Sequence, residues 1–113
     1  MTVSVERSWV AVCPSGEVPT GSGVAALLAD GTQVAIFRTG KDFFGLSNVD
    51  PFSGAAVLSR GIVGDSSGVP VVASPIYKQQ FDLATGRCLD EDGVSVPTYP
   101  VRVVNGVVHV GSP

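Results

Sequence analysis

Two stretches decide how this chain is read: Asn48-Val49-Asp50-Pro51-Phe52-Ser53-Gly54-Ala55 and Ser74-Pro75-Ile76-Tyr77-Lys78-Gln79-Gln80-Phe81-Asp82-Leu83-Ala84-Thr85-Gly86. Each begins where a short apolar run stops. Residues 43–46 lead into the first, and residues 69–73 lead into the second. Residues 79–83 then supply a return strand, followed by a turn at 84–87. Between the two stretches, short strands are expected at 57–58 and 62–65, with Asp65-Ser66-Ser67-Gly68 as the turn before 69–73. The two loops are therefore borne on hairpins and able to face each other.

Outward from this centre the pattern is the same. Residues 8–13 alternate into a first strand that Pro14 ends, because proline has no amide hydrogen for a ladder. Residues 23–28 and 33–38 flank Asp30-Gly31, a pair that tolerates the positive φ of a tight hairpin turn. Residues 39–42 form a further turn, and 90–93 an acidic one. Residues 99–104 and 107–110 flank Asn105-Gly106, the strongest short-range hairpin signal in the chain. Fourteen glycines and eight prolines suit a chain dominated by turns. The fold class is all-β, an antiparallel sandwich or barrel with helix nearly absent. One domain, 1–113, accounts for 113 residues of which 44% are hydrophobic.

Charge and composition narrow the function. A formal net charge of −3 with seven Lys plus Arg, none in a basic run, argues against nucleic acid as a partner. No apolar run approaches the roughly 20 residues that cross a bilayer, and the first residues lack the pattern of a secretion signal. A cytoplasmic protein without a membrane partner is expected. Cys13 and Cys88 are far apart and form no Cys-x-x-Cys, so both read as buried small hydrophobes. The single histidine, His109, lies in a valine-rich alternation with no orienting group in view, which gives no support to a Cys–His nucleophile. Gly21-Ser22-Gly23 precedes a strand and no helix, so it is not a dinucleotide-binding turn.

The two central stretches resemble the paired ligand loops of Rieske iron–sulfur domains, with every ligand replaced. In a Rieske centre one iron of a [2Fe-2S] cluster is held by two cysteines and the other by two histidines. The family presents these as Cys-x-His on one loop and Cys-x-x-His on the other. Here the four positions are Asp50, Phe52, Ser74 and Tyr77, while Pro51, Gly54, Ala55 and the segment 81–86 keep the family's frame. The resemblance implies a Rieske-like fold with a degenerate cluster site. Soft donors are absent from it: a phenyl ring ligates nothing, and a carboxyl, a hydroxyl and a phenol make a poor site even for a hard cation. No catalytic residue, metal or cofactor is expected on this chain. The expected packing puts Phe52 and Tyr77 against each other or against the loop backbones, with Asp50 making a turn-type hydrogen bond.

The match narrows across residues 9–13, 23–28, 33–37, 48–65 and 74–82, which resemble the small subunits of bacterial NAD(P)H-dependent nitrite reductases. That resemblance implies an accessory, non-redox role in nitrate assimilation, supporting the reduction of nitrite to ammonium. It implies a large partner subunit that carries FAD, an iron–sulfur cluster and sirohaem. Docking candidates are Phe52 and Tyr77 as aromatic anchors and Arg60 and Lys78 as charges, with Lys41 a further cation; the alternative for the cations is solvated surface charge. Two other classes stay open: a stand-alone Rieske-type electron carrier, and a protein-binding module unrelated to nitrite.

Overall fold

The computed structural model describes residues 9–40 and 42–112. Ser8, the expected start of the first strand, and Lys41, one of the candidate cations, lie outside these. Among the described residues ten strands are present: β1 (Trp9–Pro14), β2 (Gly23–Leu27), β3 (Gln33–Thr39), β4 (Asp42–Ser47), β5 (Ile62–Ser66), β6 (Val69–Ala73), β7 (Gln80–Asp82), β8 (Thr98–Tyr99), β9 (Val101–Val104) and β10 (Val107–Gly111). Their antiparallel pairings give three sheets, ordered β1-β10-β9, β2-β3-β4-β8 and β5-β6-β7. Among the described residues the helical segments are two single 3₁₀ turns, Ser15–Glu17 and Leu58–Arg60. No helix among the described residues is long and apolar enough to cross a membrane.

The run Val34-Ala35-Ile36-Phe37 explains the layering. All four residues are fully buried, so along this run β3 has no solvent face. Side chains alternate across a strand. Val34 and Ile36 join Val18, Ala26, Val108 and Val110 in one core, under the β1-β10-β9 sheet. Ala35 and Phe37 join Leu46, Leu58, Val72, Phe81, Leu83, Cys88 and Val96 in a second core, shared with β5-β6-β7. The four-stranded sheet is thus the middle layer of three. The loops of interest belong to the second core: the first leaves β4 and the second joins β6 to β7.

The turns follow their residues. Asn105 and Gly106 have φ of 51° and 76°, as the type I′ hairpin turn requires. Ser67 and Gly68 reproduce this geometry between β5 and β6, at 53° and 89°. In the β2–β3 connection only Gly31 is left-handed, and the loop is wider than a two-residue turn, with the Leu28 amide donating to the Thr32 carbonyl. Asp30 there accepts from the Thr32 amide at 2.9 Å; hydrogen bonding by the Thr32 side chain first, and by this amide next, holds its carboxyl below the usual carboxylate range. On the outer sheet the guanidinium of Arg102 lies 3.9 Å from the ring centroid of Trp9, the chain's one tryptophan.

Three local expectations are corrected. Residues 57–58 are not a strand: Leu58 opens the second 3₁₀ turn, and Val49 bridges to Ala56 instead. Asn48 is the cause, because its backbone carbonyl accepts from Leu58 N at 3.0 Å and its Oδ1 accepts from Ser59 N at 2.7 Å. Residues 99–104 are not one strand: Pro100 separates β8 in the middle sheet from β9 in the outer sheet. Cys13 is only half-buried, whereas Cys88 is buried; burial, and next the Glu17 carboxylate, push the Cys13 thiol up from its ordinary value.

Gly86 shows how tightly the 84–98 segment is folded onto β7. Its φ is +78°, its carbonyl accepts from Val96 N at 2.8 Å, and a Cβ there would collide with the Val96 carbonyl oxygen. Gly86→Ala is expected to lower the unfolding free energy by at least about 2 kcal/mol, from left-handed strain and backbone collision together. Urea unfolding measures this as a lower midpoint at unchanged slope.

Candidate functional site

The two loops are copies of one turn. Asp50-Pro51-Phe52-Ser53-Gly54 and Ser74-Pro75-Ile76-Tyr77-Lys78 each begin with an oxygen-bearing side chain followed by proline. In the first, Asp50 Oδ1 accepts from Phe52 N at 2.8 Å, Gly54 N donates to Asp50 O at 2.7 Å, and Asp50 N donates to Ala55 O at 2.9 Å. In the second, Ser74 Oγ accepts from Ile76 N at 3.3 Å, Lys78 N donates to Ser74 O at 3.0 Å, and Ser74 N donates to Gln79 O at 2.9 Å. Both end on a left-handed residue, Gly54 at +75° and Lys78 at +66°. The flanking pairs also correspond, Val49 with Ala56 and Ala73 with Gln80.

One hydrogen bond joins the copies at their first residues: the Ser74 hydroxyl donates to Asp50 Oδ2 at 2.5 Å. Both residues are fully buried. Asp50 therefore uses one oxygen to shape its own loop and the other to hold the opposite loop. The turn-type bond expected of Asp50 is present, and the bond to Ser74 adds to it. A buried carboxyl is costly unless its oxygens are matched by donors, and here each has one. Asn48, also buried, fixes the entry to the first loop: Gln33 Oε1 accepts from its Nδ2 at 3.3 Å, and Ser59 N donates to its Oδ1.

The aromatic residues part company. Phe52 is half-buried and its ring meets Phe81 with centroids 6.2 Å apart at 47°, so it extends the core beneath the loop. Tyr77 is 58% exposed. Of the two packings expected, against each other or against the loop backbones, the Phe52–Tyr77 pair is not formed, because the two hold different places in the turn, third and fourth: Tyr77 corresponds to exposed Ser53, not to Phe52. Phe52, half-buried against Phe81, leaves less free surface for a partner than Tyr77 does. Tyr77 stands out with Ile76 beside it, 41% exposed, and with Lys78. Arg60 is exposed on the 3₁₀ turn that follows the first loop.

Comparison with known proteins places this geometry. The family model for Rieske-like [2Fe-2S] domains matches residues 8–111. The NADH nitrite reductase small subunit of Salmonella typhimurium is 43% identical over 104 residues, which are 90% of this chain and 95% of that one. The chain belongs to the nitrite reductase small-subunit family of Rieske-like domains. A Mycobacterium tuberculosis crystal structure, described as an NADH-dependent nitrite reductase small subunit, superposes with a TM-score of 0.93 at 49% identity, covering 96% of this chain and 98% of that one. The Klebsiella oxytoca nitrite reductase [NAD(P)H] large subunit is 43% identical over 106 residues, covering 94% of this chain but 11% of that much longer one.

The side chains at the ligand positions do not fit a cluster. Iron–sulfur centres of this type take thiolate and imidazole, and the four positions offer a carboxyl, a phenyl ring, a hydroxyl and a phenol. Moreover, the carboxyl and hydroxyl are in direct hydrogen-bond contact across the gap that a cluster would separate, and the phenyl ring is committed to Phe81. Among the described residues no group of three or more His, Cys, Asp or Glu converges as a metal site.

Lys78 carries a cost that Gly54 does not. A non-glycine residue in left-handed geometry is disfavoured by roughly 1–2 kcal/mol, partly offset in glycine by its larger loss of backbone freedom. Lys78→Gly is therefore expected to stabilise the fold by about 0.5–1 kcal/mol while removing the charge, a gain that equilibrium unfolding would resolve.

Proposed function

We propose that the chain is the small, non-redox accessory subunit of an NAD(P)H-dependent nitrite reductase, which docks on the large subunit and supports its reduction of nitrite to ammonium. The observation that carries this reading is the 43% identity, over nearly the full length of both chains, to a nitrite reductase small subunit. The Klebsiella oxytoca relative supports the partnership: there a segment 43% identical to this chain occurs within one long polypeptide named as the large subunit. The redox groups, FAD, an iron–sulfur cluster and sirohaem, belong on the large subunit in this reading. A cytoplasmic setting suits a nicotinamide-dependent reaction.

The loop tip is the docking surface in this proposal. Tyr77 and Ile76 offer exposed apolar area, and aromatic anchors of this kind concentrate interface energy. Lys78 keeps its charge in a backbone conformation that favours glycine, and that retained strain motivates a functional reading of the position. Arg60 is a secondary candidate, worth under about 1 kcal/mol if it merely faces solvent.

Two measurements test the reading. Nitrite-dependent NAD(P)H oxidation by the large subunit is expected to rise when this chain is added, and Tyr77→Ala with Lys78→Ala is expected to weaken association at least tenfold. Unchanged affinity in that double variant would remove the tip from the interface. Chain purified without air is expected to show no visible absorption, iron or acid-labile sulfide; stoichiometric iron and sulfide would favour the electron-carrier reading instead.

A further inference from the structure

We infer that Asp50 and Ser74 are positioning residues for docking: their hydrogen bond takes over the cross-link that a cluster makes between the loops, and it sets how loop two presents Tyr77 and Lys78. The inference rests on the docking reading above and goes beyond it, because neither residue reaches the surface.

Each loop has its own complete frame, an i to i+2 side-chain bond, an i+4 to i turn and a closing i to i+5 bond. These internal bonds fix the shape of each turn but not the relation between turns. Among the described residues, Ser74 Oγ to Asp50 Oδ2 is the hydrogen bond that connects one loop with the other. It joins the first residues of the two turns, which are also the positions of the two cysteines in the ligand-bearing pattern. In that pattern both thiolates bind one iron, so the metal ties these same two points together. Here a carboxyl and a hydroxyl tie them directly.

Ser74 is also the origin of loop two's frame. Its oxygen receives the Ile76 amide and its carbonyl receives the Lys78 amide, the residues on either side of Tyr77. A hydroxyl that donates to Asp50 while accepting from Ile76 transmits the position of loop one to the backbone carrying Tyr77. Both ends of the bond are fully buried, where water does not compete and an unmatched partner is strongly disfavoured. The bond therefore selects one arrangement of the tip before the partner arrives, and a preorganised surface loses less freedom on binding.

The test uses the full chain with the large subunit and two variants remote from the surface, Asp50→Ala and the milder Ser74→Ala. Amide exchange in the isolated chain is expected to quicken at least tenfold at Lys78 in Asp50→Ala, although the substitution lies in the other loop. The concentration of this chain that half-saturates nitrite-dependent NAD(P)H oxidation is expected to rise at least tenfold, with the rate at saturation unchanged. Asp50→Asn, which keeps the bond to Phe52 N and can still pair with Ser74, is expected to recover most of the affinity. Should Asp50→Ala not fold, Ser74→Ala carries the same expectations. Unaltered exchange at Lys78, or half-saturation unaltered by both alanine variants, would overturn the inference. Tyr77→Ala with Lys78→Ala separates the causes: if it weakens association while the buried variants do not, the clasp fails and the docking surface stands; if none weakens it, the docking reading fails as well.

Discussion

A strand run with no solvent face is the constraint on which this molecule depends. Because Val34, Ala35, Ile36 and Phe37 are all buried, β3 must be covered on both sides, and it is covered by two different sheets. The two faces are not equivalent. Among the fully buried residues, β-branched Val34, Ile36, Val108 and Val110 fill the core under the outer sheet, while Phe37, Phe81, Leu46 and Leu58 fill the core on the loop side. The larger side chains thus form the platform from which both loops rise. Phe52 joins that platform through Phe81, so the first loop is anchored from below as well as at its ends.

Upon that platform the loop pair achieves order with few resources. A carboxyl, a hydroxyl and two prolines suffice, because each polar side chain does two jobs. Asp50 shapes one turn and reaches the other; Ser74 donates to Asp50 and receives the Ile76 amide. Dual use of this kind makes the site sensitive to substitution, since removal of either side chain strands a buried partner. It also shows how a frame shared with Rieske-like [2Fe-2S] domains can be well formed with none of the metal's ligands. The backbone turns are local, and only the single tie between them has to be replaced.

Much of this was legible in the sequence because it is written in short-range signals. Asn105-Gly106 and the 65–68 turn form the hairpins their residues favour, and the paired loops are recognisable by Asp-Pro and Ser-Pro within a Rieske-like frame. What escaped the sequence depends on distant partners. The strand expected at 57–58 yields to Asn48, whose side chain bonds residues 11 and 15 positions away. A run of β-formers at 99–104 looks continuous until Pro100 hands it from one sheet to another. The orientation of Phe52 was hidden because spacing to a lost ligand pattern aligns it with Tyr77, whereas the hydrogen bonds align it with Ile76. The Asp50–Ser74 bond spans 24 residues, and neither residue type announces the other.

The placement of Trp9 has an optical corollary. Its indole, the only one in the chain, lies on the β1-β10-β9 sheet beneath the Arg102 guanidinium, in the layer that shares no core with the paired loops. Intrinsic emission excited at the indole band is therefore a gauge of that layer alone. Were the layers to melt in separate steps, the signal would record the loss of one and stay silent on the other.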